Sequence, residues 1–561
     1  MDHFNSPRDH MKNTLLVFII LAAIAGQLSA EQKKVWIFFK DKGPELSKVG
    51  WRQLENSLNP RTLSRRDKVT PAGIPLIDNS DRPVYPPFIK AIKQSGLEPV
   101  VISKWLNAVS VYASLEQIQM LKDLSFVKRI QPVLQGKRAP VKNSRLLKPL
   151  QSGRAFAYDY GPSLFQNELI NVPQVHNMGL TGRNVLIGVF DSGFKTDFPA
   201  FEHLDIVQTR DFIYNDPIVE NEDVDAPNQH NHGTSVLSLI GAYHESRLVS
   251  PAFEASFLLA KTEDVKSETQ VEEDYWIAAA EWAEDLGVDI ITTSLGYIDW
   301  YDPSDADGDT APITRVADMA VKKGVVVIAS AGNEGNDPWT IITPPADGDS
   351  VIAVGAVAPG GLIAGFSSRG PTADGRIKPD VVAQGLNCVL LNSNGIYSSN
   401  GAGTSYSAPQ VAAAAALVLQ AHPELTPMQV RQSLVNTADR FTQPDNVYGF
   451  GLIDVLEAVT FFGPVEGLAD TTRFVKHYPN PFYPHQHQVF NFLVDAKEKL
   501  PLTIDIFNIL GQKVDTIHET SVLGKEQIIM WNPEQLPSSG IYIYQLKLGG
   551  HISTGKFMVL R

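Results

Sequence analysis

The stretch Gly403-Thr404-Ser405-Tyr406-Ser407-Ala408-Pro409, leading into the apolar run Val411 to Leu419, decides how this chain is read. A serine placed after glycine and before a helix-forming run stands where its hydroxyl is exposed on a helix N-terminus. Gly403 allows another backbone to come close. Pro409 is tolerated because the first turn has no intrahelical N–H bonds to lose. The run is apolar on every face, so the predicted helix is buried and only its first turn can meet a cleft. Free N–H groups and the positive end of the helix dipole favour a developing oxyanion there.

Three other segments share this texture. Val185 to Phe190 is short, wholly apolar and rich in β-branched residues, which predicts a buried parallel strand ending at Asp191-Ser192-Gly193. Sites in open α/β sheets lie beyond the carboxyl ends of strands, so Asp191 belongs at a cleft. After His230-Asn231-His232-Gly233-Thr234-Ser235, apolar residues at Val236, Leu239 and Ile240 predict a helix packed by one face, with His232 at its start. Val325 to Ala329 predicts another buried strand, which runs into Ser330-Ala331-Gly332-Asn333-Glu334-Gly335 and leaves Asn333 just past its end.

The order Asp191, His232, Asn333, Ser405 resembles the subtilisin-like serine peptidases, the subtilases, over residues 155–460. Their boxes correspond to Asp191-Ser-Gly193, His232-Gly-Thr234, Gly332-Asn333 and Gly403 to Pro409, with Ser192 standing where many members have threonine. The resemblance implies an α/β, subtilisin-like three-layer fold with a parallel sheet. It also implies a secreted serine endopeptidase that works through an acyl-enzyme. A serine hydroxyl needs a base within hydrogen-bond reach. That role falls to His232, with Asp191 orienting the imidazole and stabilising its charged form. The Asn333 amide and the Ser405 N–H would bind the oxyanion. Ser294-Leu295-Gly296 matches one wall of the family's substrate cleft, and Ala331-Gly332 matches part of the pocket for the P1 side chain. The run Ile290 to Gly296, which includes that wall, reads as a strand, and an exposed strand edge there can pair with an extended peptide. How deep the P1 pocket runs depends on loops that the sequence does not position.

Other readings explain less. His230, His232 and Asp191 could ligate a metal, but that leaves Asn333 and the Ser405 helix start without a purpose. Gly401-x-Gly403 lacks the preceding strand and following lysine of a phosphate loop. A second function class is a catalytically silent scaffold of the same fold, used for surface binding or adhesion. Four complete boxes have no chemical purpose in it. No cofactor is required for the chemistry. The acidic loop Asp302 to Asp309 leaves a structural calcium open, although it lacks the closing glutamate of an EF-hand. A net charge of −14 without interleaved basic and aromatic residues argues against nucleic acid and leaves proteins or peptides as substrates. The lone Cys388 permits no internal disulfide and reads as a small core hydrophobe.

The chain has 561 residues, too many for one core. Residues 1–30 carry a charged start, an apolar run from Leu15 to Ala25 and small residues through Ala30, the pattern of a signal peptide too short to span a membrane. That places the protein outside the cell or on its surface, exported through the periplasm, with no membrane span in the mature form. Residues 31–150 read as strand (Lys34–Phe39), helix (Pro87–Lys93), strand (Val100–Tyr112), helix (Leu115–Leu124) and strand (Phe126–Ile130). This small α+β unit resembles the inhibitory propeptide of subtilases, which makes the propeptide a partner of its own enzyme. Lys128, Arg129, Lys137, Arg138, Lys142, Arg145 and Lys148 form a basic, exposed connector suited to maturation cleavage.

The peptidase region spans 151–465 and closes with Asn446 to Asp454. From 466 to 561 the texture changes to short strands (Val489–Val494, Leu502–Phe507, Gln527–Trp531, Ile541–Leu546) separated by turn signals, which predicts a small β-sandwich. Tyr478-Pro-Asn-Pro-Phe482, Phe507 to Val514, Ser539 to Tyr544 and the terminal Lys556 to Arg561 resemble the type A sorting domains of type IX secretion. The bacterial secretion machinery is the partner this implies.

Overall fold

The structure is a computed structural model that describes residues 32–132, 156–266, 269, 271–465, 473–478, 482–484, 489–532, 538–549 and 551–560. The signal-peptide segment and the connector from 133 to 155 lie outside the described residues. The chain divides into two compact units, with the boundary between Phe462 and Gly463.

In the first unit, seven parallel strands make the central sheet: β5 (Leu186–Asp191), β6 (Asp205–Asp211), β7 (Ser256–Lys261), β8 (Ile290–Thr293), β9 (Val326–Ser330), β10 (Ile352–Val357) and β11 (Val381–Gln384). Their spatial order is β11-β10-β9-β8-β5-β7-β6. Strands β5, β8, β9, β10 and β11 are buried along their whole length, because helices cover both faces, and this is why they read as unbroken apolar runs. The covering helices include α5 (Asn231–Gly241), α6 (Val271–Asp285), α7 (Pro312–Lys322) and α8 (Ala408–Ala421). Register aligns Phe190 of β5 and Ala329 of β9 with Thr293 of β8, so Asp191, Ser294 and Ala331 emerge together at one end of the sheet.

An N-terminal lobe packs on α6 and α7 within the same unit. Its antiparallel sheet has the order β2-β3-β1-β4, from β1 (Lys33–Phe39), β2 (Pro99–Ser103), β3 (Ala108–Ala113) and β4 (Val127–Pro132). The single strand expected over Val100–Tyr112 is therefore two strands folded back on each other, with Asn107 at positive φ just before β3. Both faces of β1 are covered. Val35, Ile37 and Phe39 fill the lobe's own core, while Trp36 and Phe38 join Trp276, Ile277 and Ala280 of α6. Two helices absent from the expected pattern, α1 (Lys48–Ser57) and α2 (Pro60–Val69), follow β1, ahead of the two expected ones, α3 (Pro86–Gln94) and α4 (Leu115–Lys122). Ser47 and Asn59 cap them by accepting from the N–H groups of Gly50 and Arg61.

The second unit is one antiparallel sheet of long strands. Its members are β12 (Arg473–Tyr478), β13 (Phe490–Asn508), β14 (Lys513–Trp531), β15 (Gly540–Leu548) and β16 (His551–Val559). The separate strands expected at 489–494 and 502–507 are halves of β13, which pairs with β12, β14 and β15. Alternate residues Phe490, Phe492, Val494, Leu502, Ile504 and Ile506 face one core with Tyr542, Tyr544 and Phe557.

Candidate active site

The sheet end where Asp191, Ser294 and Ala331 emerge carries the candidate site. Asp191 is fully buried at the end of β5. Its Oδ1 accepts from the Ser192 N–H at 2.7 Å and lies 2.8 Å from His232 Nδ1. A carboxylate on Nδ1 keeps the proton there and leaves Nε2 as the basic nitrogen. His232 lies in the first turn of α5 with a third of its side chain exposed, and its ring meets that of Tyr406 at 5.9 Å.

Ser405 lies in a 3₁₀ turn, Thr404–Tyr406, that precedes α8, so it sits just ahead of the helix rather than in its first turn. Pro409 occupies one of the first helical positions, where it removes no bond. Ser405 Oγ donates to the Ser294 carbonyl at 3.1 Å, and Ser294 Oγ donates back to the Ser405 carbonyl at 2.9 Å. The Ser405 hydroxyl is thus turned toward Ser294. The reason for glycine at 403 differs from the expectation of a close approach. A Cβ there would meet nothing nearer than 3.7 Å, but φ is +152°, a conformation that favours glycine.

Asn333 follows β9. Its Oδ1 accepts from the Thr404 N–H at 2.9 Å and from Thr404 Oγ1 at 3.1 Å. A backbone N–H can be met only by the amide oxygen, so this pair fixes the amide's orientation and leaves Nδ2 as the group free to be offered elsewhere. Sequence reading missed Thr404 in this role. Its place beside the serine was the available signal.

Leu295 and Ala331 are buried, and Gly332 has φ +106°. Strand β8 is paired on both sides, with β5 and β9, so it offers no edge to a peptide. Only the extension Ser294 to Gly296, beyond the last ladder pair, can do so.

The acidic loop does not gather its carboxylates around a point. Asp305 accepts from the Asp302 N–H, and Asp307 accepts from the N–H groups of Asp309 and Thr310. Among the described residues, Asp211, Asp216 and Glu222 bring three carboxylate oxygens within 4.8 Å of one another. The Lys261 ammonium stands 2.7 Å from Asp211 Oδ2 and already supplies a cation there. Cys388 is buried, and burial pushes its thiol pKa up, as suits a core side chain.

Residues 182–451 match the model of the Subtilase family, Peptidase S8. The chain is 35% identical to Subtilisin E of Bacillus subtilis (strain 168) over 306 residues, which cover 54% of this chain and 73% of that protein. It is 36% identical to Subtilisin of Bacillus pumilus over 52% of this chain and 96% of that protein. To Serine protease AprX of Bacillus subtilis (strain 168) it is 31% identical, over 50% of this chain and 67% of that protein.

The chain belongs to the subtilase family.

This subtilase also carries two flanking modules of known type. Residues 34–145 match the Peptidase S8 propeptide domain of Bacteroidota, and residues 476–560 match the Secretion system C-terminal sorting domain. Together they mark a serine peptidase homologue that is made as a precursor and is secreted or held at the cell surface. No helix among the described residues is long and apolar enough to cross a membrane.

The propeptide lobe is attached by buried charge as well as by apolar contact. Glu281 of α6 accepts from Ser103 Oγ at 2.6 Å and from the N–H groups of Lys104 and Trp105. Arg65 and Arg66 of α2 both pair with Glu284 of α6, and Arg66 also pairs with Asp81, which in turn takes Lys323 at 2.9 Å. Lys34 of β1 pairs with Asp274 of α6.

Proposed function

We propose that this subtilase is a secreted serine endopeptidase, cleaving peptide bonds of proteins with Asp191, His232 and Ser405 as its triad and Asn333 as an oxyanion donor. The observation that carries the reading is the 2.8 Å contact between His232 Nδ1 and the buried Asp191 carboxylate, on the same sheet end as a serine at the head of a buried helix. Ser405 Oγ attacks the scissile carbonyl and passes its proton to His232 Nε2. Asn333 Nδ2 and the Ser405 N–H hold the oxyanion as the carbon becomes tetrahedral. Collapse expels the amine, which takes the proton from His232, and water then repeats the sequence on the acyl-enzyme. Asp191 keeps the imidazole in the right tautomer throughout. No metal or cofactor enters these steps.

Ser294-Leu295-Gly296 and Ala331-Gly332 form the two walls between which an extended substrate lies. Residues 1–30 act as the signal peptide, 31–150 as propeptide and connector, 151–465 as the peptidase and 466–561 as the sorting domain.

Ser405→Ala in the full chain tests the reading. The variant should accumulate as unprocessed precursor, hydrolyse no casein and fail to label with a sulfonyl fluoride that labels the parent chain. Normal maturation and hydrolysis by Ser405→Ala would overturn the assignment. A parent chain that neither labels nor cleaves would point to a silent binding scaffold.

A further inference from the structure

The two walls of the proposed cleft are separated by a gap, and the gap is not empty. A methyl group built on Gly296 would stand 2.3 Å from Thr343 Oγ1, and one built on Gly332 would stand 2.6 Å from Thr343 Cγ2. One side chain therefore touches both walls, its hydroxyl toward one and its methyl toward the other. The Thr343 N–H donates to the Ala331 carbonyl at 3.1 Å, and the Tyr297 N–H donates to the Pro344 carbonyl at 3.1 Å. Residues 343–344 are thus tied to each wall through the backbone. The threonine side chain has little freedom to leave, because β-branching restricts its χ1. Thr343 is 2% exposed, and its Oγ1 has no hydrogen-bond partner among the described residues. A buried, unpaired hydroxyl is costly, and here it lies against the Gly296 wall.

We infer that Thr343 is the specificity-determining residue of this enzyme: it closes the floor of the P1 pocket and limits the P1 residue to small side chains such as alanine, serine and glycine. This rests on the reading of the site as a peptidase. An alanine methyl enters between the walls without reaching Thr343. A phenylalanine ring needs the volume that Thr343 fills, and the tied backbone keeps the floor from dropping. A P1 serine gains in addition, because its hydroxyl gives Thr343 Oγ1 the partner it lacks. Close-packed walls respond to volume changes as small as one methylene, so one residue is enough to set the cut-off.

The test uses the full chain matured to active enzyme, assayed on tetrapeptide anilides that differ only at P1. The parent should prefer alanine to phenylalanine in kcat/KM by at least about tenfold, within the range that a pocket's volume can discriminate. Thr343→Gly should raise the ratio of kcat/KM for phenylalanine over that for alanine at least about tenfold. Thr343→Val keeps the volume and removes the hydroxyl. It should retain the rejection of phenylalanine while losing any advantage of serine over alanine. If Thr343→Gly does not fold, the parent's preference and the Thr343→Val profile still decide. A parent that cleaves after phenylalanine as readily as after alanine overturns the inference, as does an unchanged ratio in Thr343→Gly. In either case sulfonyl fluoride labelling leaves the peptidase reading standing. A parent that neither cleaves nor labels overturns both.

Discussion

Replacing Arg66 by methionine should release the propeptide lobe from its enzyme far faster than the parent does. Arg66 is 2% exposed, and its guanidinium makes four hydrogen bonds: two to Glu284 at 2.9 Å, one to Asp81 at 2.7 Å and one to the Leu76 carbonyl at 3.1 Å. Removing one partner of a buried pair costs about 3–5 kcal/mol, because the other charge is left without compensation. The lower end applies here. Glu284 keeps Arg65 at 2.5 Å, and Asp81 keeps Lys323 at 2.9 Å. A loss of about 3 kcal/mol corresponds to roughly a hundredfold. Arg61 of the same helix provides the control: it pairs with Asp289 from a side chain that is 46% exposed, where an ion pair contributes about 0–1 kcal/mol. The assay follows full-length chains through maturation and times the lag before they hydrolyse a peptide, with size-exclusion chromatography tracking the propeptide. Arg66→Met should shorten the lag about a hundredfold and Arg61→Met less than about fivefold. In the Ser405→Ala precursor, which stays one chain, Arg66→Met should lower the melting temperature more than Arg61→Met. Equal effects of the two substitutions would refute the idea that the buried pairs hold the lobe.

Three further outcomes are expected. Asn333→Leu should lower kcat about 10²–10³-fold with little change in KM, the magnitude established for such a donor in subtilisin, and kcat within twofold of the parent would exclude an oxyanion role. Burial lowers the His176 pKa from 6.5 to about 4, while Nε2 donates to the Pro251 carbonyl and Nδ1 faces Tyr160 Oη at 2.6 Å. Its contribution to stability is complete above the ordinary imidazole pKa and is lost as pH falls toward 4, because the unfolded chain binds a proton that the native state refuses. The loss is about 1.4 kcal/mol per pH unit over that window, so melting curves of the Ser405→Ala precursor should fall more steeply from pH 6.5 to 4.5 than those of Ser405→Ala with His176→Gln, and parallel curves would exclude it. Deleting residues 470–561 removes only a unit with its own core, so the remainder should fold and cleave in a neutral host. In a host with type IX secretion it should stay in the periplasm, and surface delivery on fractionation would refute the sorting role.

The parts of the fold that were legible in sequence are those whose burial is apolar. Strands β5 and β9 and helices α5 and α8 announce themselves as apolar runs or stripes, and residues at or next to their ends make up the candidate site. Helices α1 and α2 were invisible for the opposite reason. The first has no buried residue, and the second buries Thr62, Arg65 and Arg66, so neither presents an apolar stripe. In the tail, the charged stretch Asp495 to Lys499 breaks the alternation and divides β13 into two apparent strands. Thr343 left no trace, because its role comes from where the 343–344 segment meets two walls that are distant in sequence.

Helix α6 has to live two lives. While the propeptide lobe covers it, Trp276 and Ala280 are core and the carboxylates of Asp274, Glu281 and Glu284 are buried among partners supplied by the lobe. In the maturation proposed above the lobe is removed, and the same face becomes the outside of the protein. A purely apolar face would have bound the lobe without ion pairs and then left a sticky patch on the mature enzyme. The three carboxylates avoid this: Asp274 and Glu284 are paired with cations of the lobe and Glu281 with its hydroxyl and N–H groups, and all three are hydrated once it is gone, so the proposed maturation exchanges a dry interface for a negatively charged, water-soluble surface.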